Sequence, residues 1–187
     1  MNESQFVEAA LSNPLNRAIL ERLDALNAPD SWLVSGALFQ TVWNRLTQRP
    51  PEYGIKDYDI FYFDRDTSWD AEDAVIKRAD ALFADLGAPI EVRNQGRVHL
   101  WYEEKFQVPY PPLMRATDGI DRFLCDCAMV GIRPTGAGYD VYAPRGFADI
   151  ESLTLRPNRL PNYHPDRYLE KARRWKELWP EIIVLPA

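Results

Sequence analysis

The sequence predicts an α+β fold with an α/β-like core: a mixed β-sheet flanked by helices. Three observations carry that reading. Apolar strands and amphipathic helices alternate through the first half, and a β-hairpin pattern, "CDCAMVGIR", "PTGAG", "YDVYAP", comes late. The composition is that of a globular chain, with 46% hydrophobic and 27% charged residues over 187 positions. A chain of this length supports one sizeable core, so residues 1–187 read as a single domain, with an N-terminal helical extension at about 1–28 and a C-terminal helix at about 164–179.

Taken in order, Asn13-Pro14 supplies an N-cap and a first-turn proline, after which Leu15, Ile19, Leu23 and Leu26 recur at helical spacing. "SWLVS" (31–35) is a short apolar strand. Gly36 interrupts it, and "ALFQTVWNRL" follows with Leu38, Val42 and Leu46 one helical turn apart. "RPPEYG" ends that helix. "GIKDYDIFYFD" (54–64) is a strand, and a helix then runs from about Trp69 to Leu86, capped by Gly87. "PIEVRN" (89–94) is another strand, while "QGRVHLWYEEKF" fits either a strand or the opening of a helix. "GFADIESL" reads as one or two helical turns. "HPDRYLEKARRWKELW" is a helix whose apolar side carries Tyr168, Ala172, Trp175 and Trp179.

The strand at 54–64 holds the main chemical signal. Tyr58, Ile60, Phe61, Tyr62 and Phe63 favour a covered strand. Asp57 and Asp59 lie on one face of it, roughly 7 Å apart, because successive side chains alternate. Two like charges in a poorly hydrated place are costly without a cation between them. Carboxylates of this kind suit Mg²⁺ or Mn²⁺, and a third acidic residue on a neighbouring strand would complete a two-metal site. Glu91, between Ile90 and Val92, is the candidate; Asp126, between the two cysteines, is the runner-up. The Ser35-Gly36 turn opens a helix, so its free N–H groups can receive an anion such as a phosphate.

The remaining features bound the function. A net charge of −6 argues against a nucleic-acid partner. The polar N-terminal residues lack the pattern of a signal peptide and no apolar run has membrane-spanning length, so the expected location is the cytoplasm. Cys125 and Cys127, read as residues of one strand face, are expected to be small buried hydrophobes. His99, between Val98 and Leu100, is expected to be packed. Nothing in the sequence sets the oligomeric state.

The small-residue turn, the helix and then "DYDIFYF" resemble the signature of the DNA polymerase β-type nucleotidyltransferase superfamily. "WLVSGALFQTVWN", "IEVRNQGRVHLW", "VYAPRGFADIESLTLRPN" and "KARRWKELWP" extend the likeness, over about residues 15–183, to a bacterial family of small nucleotidyltransferase-like proteins. The resemblance implies a nucleotidyltransferase fold and a nucleoside triphosphate substrate. Its acidic position on the third strand favours Glu91 over Asp126. The chain departs from the pattern in two ways: the usual Gly-Gly or Gly-Ser turn reads Ser35-Gly36-Ala37, and "RPPEYGIK" lengthens the gap between Gly36 and Asp57.

On this reading the catalytic and metal residues are Asp57, Asp59 and Glu91, and Ser35, Gly36, Asn94 and Arg97 bind the nucleotide, with Gln95 beside them. Asn94, Gln95 and Arg97 equally fit a polar strand end. Of the basic residues on the last helix, Arg167, Lys171, Arg173, Arg174 and Lys176, most suit a solvated face, and one or two could reach the triphosphate. The acceptor would be a hydroxyl on a small molecule or a protein. The alternative is a non-catalytic module that keeps the fold and binds nucleotide or protein.

Overall fold

The computed structural model describes residues 1–187. Its centre is a five-stranded mixed sheet in the order β3-β2-β1-β4-β5: β1 (Trp32–Val34), β2 (Tyr58–Tyr62), β3 (Ile90–Asn94), β4 (Gly131–Thr135) and β5 (Gly138–Tyr142). β2 and β3 are parallel, joined by a helical crossover; β1–β2, β1–β4 and β4–β5 are antiparallel. The hairpin expected late in the chain is β4–β5.

Alternation along β2 divides the sheet's two faces. Tyr58, Ile60 and Tyr62 enter the main core, a cluster of 33 buried residues running from Phe6 to Ile182. Against it pack α1 (Glu3–Ala10), α2 (Pro14–Arg22), α3 (Gly36–Leu46) and α4 (Trp69–Leu82). Asn13 caps α2, and Gly87 ends the 3₁₀ turn after α4 in the left-handed conformation, as their sequence positions predict. The N-terminal helices are pinned by buried amides. Asn13 donates to Thr41 Oγ1 and Tyr58 OH, both at 3.2 Å, and Asn16 donates to the Ala37 carbonyl at 2.8 Å. They thus hold both β2 and the first turn of α3.

The other face carries Asp57, Asp59, Phe61 and Phe63. A second, smaller cluster of Trp32, Val34, Ala116, Ile120 and Met129 covers part of it, with α6 (Ala116–Ile120) as its lid. Gly131 permits this layer: a Cβ there would stand 2.7 Å from Ile120 Cδ1. Phe123, just after α6, stacks on Phe61 with centroids 5.4 Å apart.

The last long helix, α8 (Pro165–Leu178), buries the predicted side, Tyr168, Ala172 and Trp175, with Trp179 just beyond its end. Trp175 and Trp179 meet Phe39 and Trp43 of α3 edge-on, at 5.3 to 6.0 Å between centroids. Gly54 closes the "RPPEYG" loop against this cluster. It has a φ of 71°, and a Cβ there would lie 2.7 Å from Trp179.

Several expectations are corrected. "QGRVHLWYEEKF", which fitted either a strand or the opening of a helix, is helical from His99 onward, as α5 (His99–Phe106). The strand expected across "CDCAMVGIR" begins only at Gly131. Cys125 makes one isolated bridge to Pro157, and Asp126–Ala128 form a 3₁₀ turn because the Asp126 N–H is drawn to the Arg156 carbonyl. Both cysteines are nevertheless free and buried. The helix expected through Leu86 stops at Leu82, the rest being a 3₁₀ turn. α7 (Ala148–Glu151) forms as expected. A two-stranded sheet of β6 (Thr154–Leu155) and β7 (Ile183–Val184) has no counterpart in the sequence reading.

Candidate functional site

β2 meets the start of α3 at the N-terminal end of the strand. Val34 pairs with Asp59 across the antiparallel β1–β2 ladder, and the next residue, Ser35, begins the turn into α3. On the other side the parallel β2–β3 ladder sets Glu91 directly beside Asp59. Neighbouring strands lie about 4.8 Å apart and paired residues share a face, so Asp57, Asp59 and Glu91 stand on the same side of the sheet.

The turn is held tightly. The Ser35 N–H donates to the Val130 carbonyl at 2.8 Å, and its own carbonyl accepts from Leu38 and Phe39 at 2.9 and 3.1 Å. Ser35 has φ 56° and ψ −117°, a conformation that glycine adopts at less cost, and its side chain makes no capping bond. The N–H groups of Gly36 and Ala37 precede the helix's own hydrogen-bonding pattern and lie at its positive end.

Among the carboxylates, Asp59 is electrostatically frustrated. Burial, reinforced by the charges of Asp57 and Glu91, pushes the Asp59 carboxyl up from 3.8 to about 7; Lys171 and Arg93 pull the other way. Asp57 and Asp59 have no ion-pair or hydrogen-bond partner in the protein. Glu91 is exposed, with Arg93 Nη2 at 3.5 Å from its carboxylate. No three acidic, histidine or cysteine side chains converge to hold an ion as the rotamers stand. The chemistry of the donor set still fits a hard divalent cation: two carboxylates on one strand face, unpaired, with Asp59 in a place that disfavours its charge.

The two candidates for the third carboxylate have different surroundings. Glu91 is among the charges that raise Asp59, whereas Asp126 faces another group, 3.9 Å from Arg145 and influenced by Asp149 and Arg156.

Asn94 and Arg97 are placed differently from a nucleotide contact. Asn94 pairs with Tyr62, three residues beyond Asp59, and is completely buried. Its Oδ1 accepts from the Asp64 and Gly96 N–H groups, and its Nδ2 donates to the Asp64 and Asp66 carbonyls. Arg97 turns to α4, with Nε 2.9 Å from buried Glu72 and its guanidinium also donating to the Thr67 carbonyl. Both residues brace the β2–α4 loop. Gln95 is buried against Gly119 under α6.

Lys171, among the basic residues that the sequence offered for the triphosphate, is with Arg93 one of the two cations whose charge pulls the Asp59 carboxyl down. It belongs to α8, and the packing of Trp175, one turn later, against Phe39 carries it to the first turn of α3.

Comparison with known proteins gives the fold first. The chain is similar to an NMR structure described as revealing a CCA-adding enzyme head domain. The TM-score is 0.77 and the identity 24%, over 100% of this chain and 97% of that one. At that identity the likeness shows a shared nucleotidyltransferase architecture. The family then follows from sequence: the nucleotidyltransferase family profile matches residues 21–184, and the chain belongs to that family. None of the curated proteins matches it. Nucleotidyl transfer is the role that family and fold support. No helix is long and apolar enough to cross a membrane.

Proposed function

We propose that the protein is a metal-dependent nucleotidyltransferase that moves a nucleoside monophosphate from a nucleoside triphosphate to an acceptor hydroxyl, releasing pyrophosphate. The observation that carries the reading is the unpaired Asp57–Asp59 carboxylates, with Asp59 raised to about 7, set one residue in register from the opening turn of α3. Asp57 and Asp59 would hold Mg²⁺ or Mn²⁺, with Glu91 as the third ligand after turning from Arg93. When bound, the ion supplies neutralisation of the phosphate charge and of the oxygen that leaves.

The chain's own residues do the rest. The N–H groups of Gly36 and Ala37 receive phosphate oxygens at the positive end of α3. Glu91, exposed beside Asp59, takes the proton of the acceptor hydroxyl. The acceptor oxygen bonds to the α-phosphorus, the bond from that phosphorus to the bridging oxygen breaks, and its electron pair leaves with pyrophosphate. Placing the reactants in line accounts for most of the rate. The acidic surface favours a small-molecule or protein acceptor over nucleic acid.

The test is pyrophosphate release from each triphosphate by wild type and Asp59→Asn, the latter checked for fold by circular dichroism. Transfer abolished in a folded variant supports the reading; near-normal turnover overturns it. A second reading, a non-catalytic nucleotide-binding module, draws on the strained Ser35 in the turn and on the carboxylates that do not converge. It predicts nucleotide binding with no pyrophosphate formed under any acceptor.

A further inference from the structure

A cavity of about 560 Å³, within the range of small-molecule sites, opens beside α6, and nothing in the transfer chemistry uses it. Its place follows from the sheet. Asp59 pairs with Val34, Val34 with Gly131 and Gly131 with Tyr142, so these residues form one row on one face. Tyr142 lines the cavity, three strands from Asp59, or roughly 14 Å at about 4.8 Å per strand. Ile120 of α6 fills the space above Gly131 between them. The cavity is therefore separate from the Asp57–Asp59 pair.

Its lining holds two charges that the protein leaves unmatched. Asp121 and Arg122 follow α6 in a continuing helical turn, where neighbours in sequence do not face each other. Asp121 accepts from Tyr142 OH at 2.9 Å and pairs with no cation. Burial pushes its carboxyl above the ordinary value, against the pull of that hydroxyl. Arg122 pairs with no carboxylate; its guanidinium stands 5.8 Å from the centre of the Tyr110 ring. Asp118, the other acid of the lining, is already held by Arg115 at 2.8 Å and by the Met114 N–H at 2.9 Å. Half-buried charges of opposite sign that stay apart are costly unless something else meets them. The backbone that carries them is fixed. Asn158 donates to the Asp121 carbonyl at 2.8 Å and Asn162 to the Arg122 carbonyl at 2.9 Å, both asparagines being buried. Leu113, Met129 and Leu160 supply apolar lining.

We infer that this cavity binds a zwitterionic small molecule of the amino-acid class: Asp121, oriented by Tyr142, receives the ammonium, Arg122 receives the carboxylate, and the apolar lining covers the side group. A zwitterion meets both charges at once, which neither a simple anion nor a simple cation does. Because Asp121 and Arg122 are held in place before binding, little ordering cost falls on association. The inference stands apart from the transfer reading, since no nucleotide, metal ion or carboxylate of β2 takes part.

Titration of the isotope-labelled full chain with phenylalanine, phenethylamine and 3-phenylpropionate, followed by amide NMR shifts, tests it without nucleotide or metal. Wild type should bind phenylalanine, with shifts at Asp121, Met129 and Tyr142, at least tenfold more tightly than either analogue. Asp121→Asn should cost phenylalanine at least tenfold and leave 3-phenylpropionate unchanged. Arg122→Gln should cost phenylalanine at least tenfold and leave phenethylamine unchanged, while Arg173→Gln on α8, the charge control, matches wild type. The same spectra report whether each variant is folded. Tyr142→Phe removes only the orienting hydroxyl and, as a milder perturbation, should weaken phenylalanine about threefold. Failure of wild type to bind phenylalanine, equal affinity for the three probes, or a folded Asp121→Asn or Arg122→Gln that binds phenylalanine like wild type would overturn the site.

Discussion

Replacing Asp59 by asparagine removes a carboxyl that the fold itself disfavours, and the effect on stability can be worked out. In the metal-free protein this carboxyl titrates at about 7, against 3.8 in its ordinary state. A carboxyl whose folded pKa is raised binds its proton more tightly when folded, so the stability it confers is full below pH 4 and is lost as the pH rises through 7. Three pKa units at about 1.4 kcal/mol each set a ceiling of roughly 4 kcal/mol. About two of those units fall between pH 5 and 8, and partial hydration reduces them to ~1.5 kcal/mol of change. Urea unfolding of EDTA-treated protein measures it. Asp59→Asn should gain on wild type by about 1.5 kcal/mol on going from pH 5 to pH 8, and should be the more stable protein at pH 8. Groups that do not interact with Asp59 cancel in the difference, which therefore reports this site, Asp59 together with the Asp57 and Glu91 charges that act on it. A variant less stable than wild type at pH 8, or a difference independent of pH, would refute the account of Asp59 as a frustrated carboxylate.

Other expectations follow from the same geometry. Gly54→Ala forces a Cβ to 2.7 Å from Trp179 at a φ of 71° and should cost about 2–4 kcal/mol, read from urea unfolding; a cost under 1 would contradict it. Ser35→Gly relieves a residue at φ 56° and ψ −117° and should stabilise by about 1 kcal/mol, seen as a higher melting temperature. Arg97→Ala strands the buried Glu72 carboxylate and should cost roughly 3 kcal/mol while leaving nucleotide affinity of the folded fraction unchanged, since Arg97 braces a loop.

The legible parts of the fold were those with strong local signals. Asn13-Pro14, the apolar run 58–63 and the periodic α8 each state their structure in a few residues. The site was partly legible for a related reason. Alternation alone sets Asp57 and Asp59 on one face, and β3, returning parallel after α4, brings Glu91 into register with Asp59. Asn94 and Arg97 illustrate that polar residues at a strand end have two uses: here their side chains bond to the loop after β2, to Gly96 and to Glu72 of α4. Lys171 was legible only as one of five basic residues on the last helix: which of them approaches β2 depends on the Trp175–Phe39 contact, which lays that helix against α3. α6 escaped notice because five residues with no apolar period give no pattern to detect. The two-residue strands β6 and β7 pair only because Ile183 and Leu185 donate to the Leu153 and Leu155 carbonyls.

The central claim, that Asp57 and Asp59 form a metal-dependent nucleotide site, is tested most directly by thermal melting against ATP, GTP, CTP and UTP. Each is measured with and without Mg²⁺ or Mn²⁺, on wild type and Asp57→Ala/Asp59→Ala. A nucleotide at 100 times its dissociation constant adds about 2.7 kcal/mol of stability. The account predicts a rise in melting temperature that needs both the nucleotide and the metal and disappears in the double variant. A well-folded wild type that shows no shift with any nucleotide, or a shift that the double variant keeps, would contradict it.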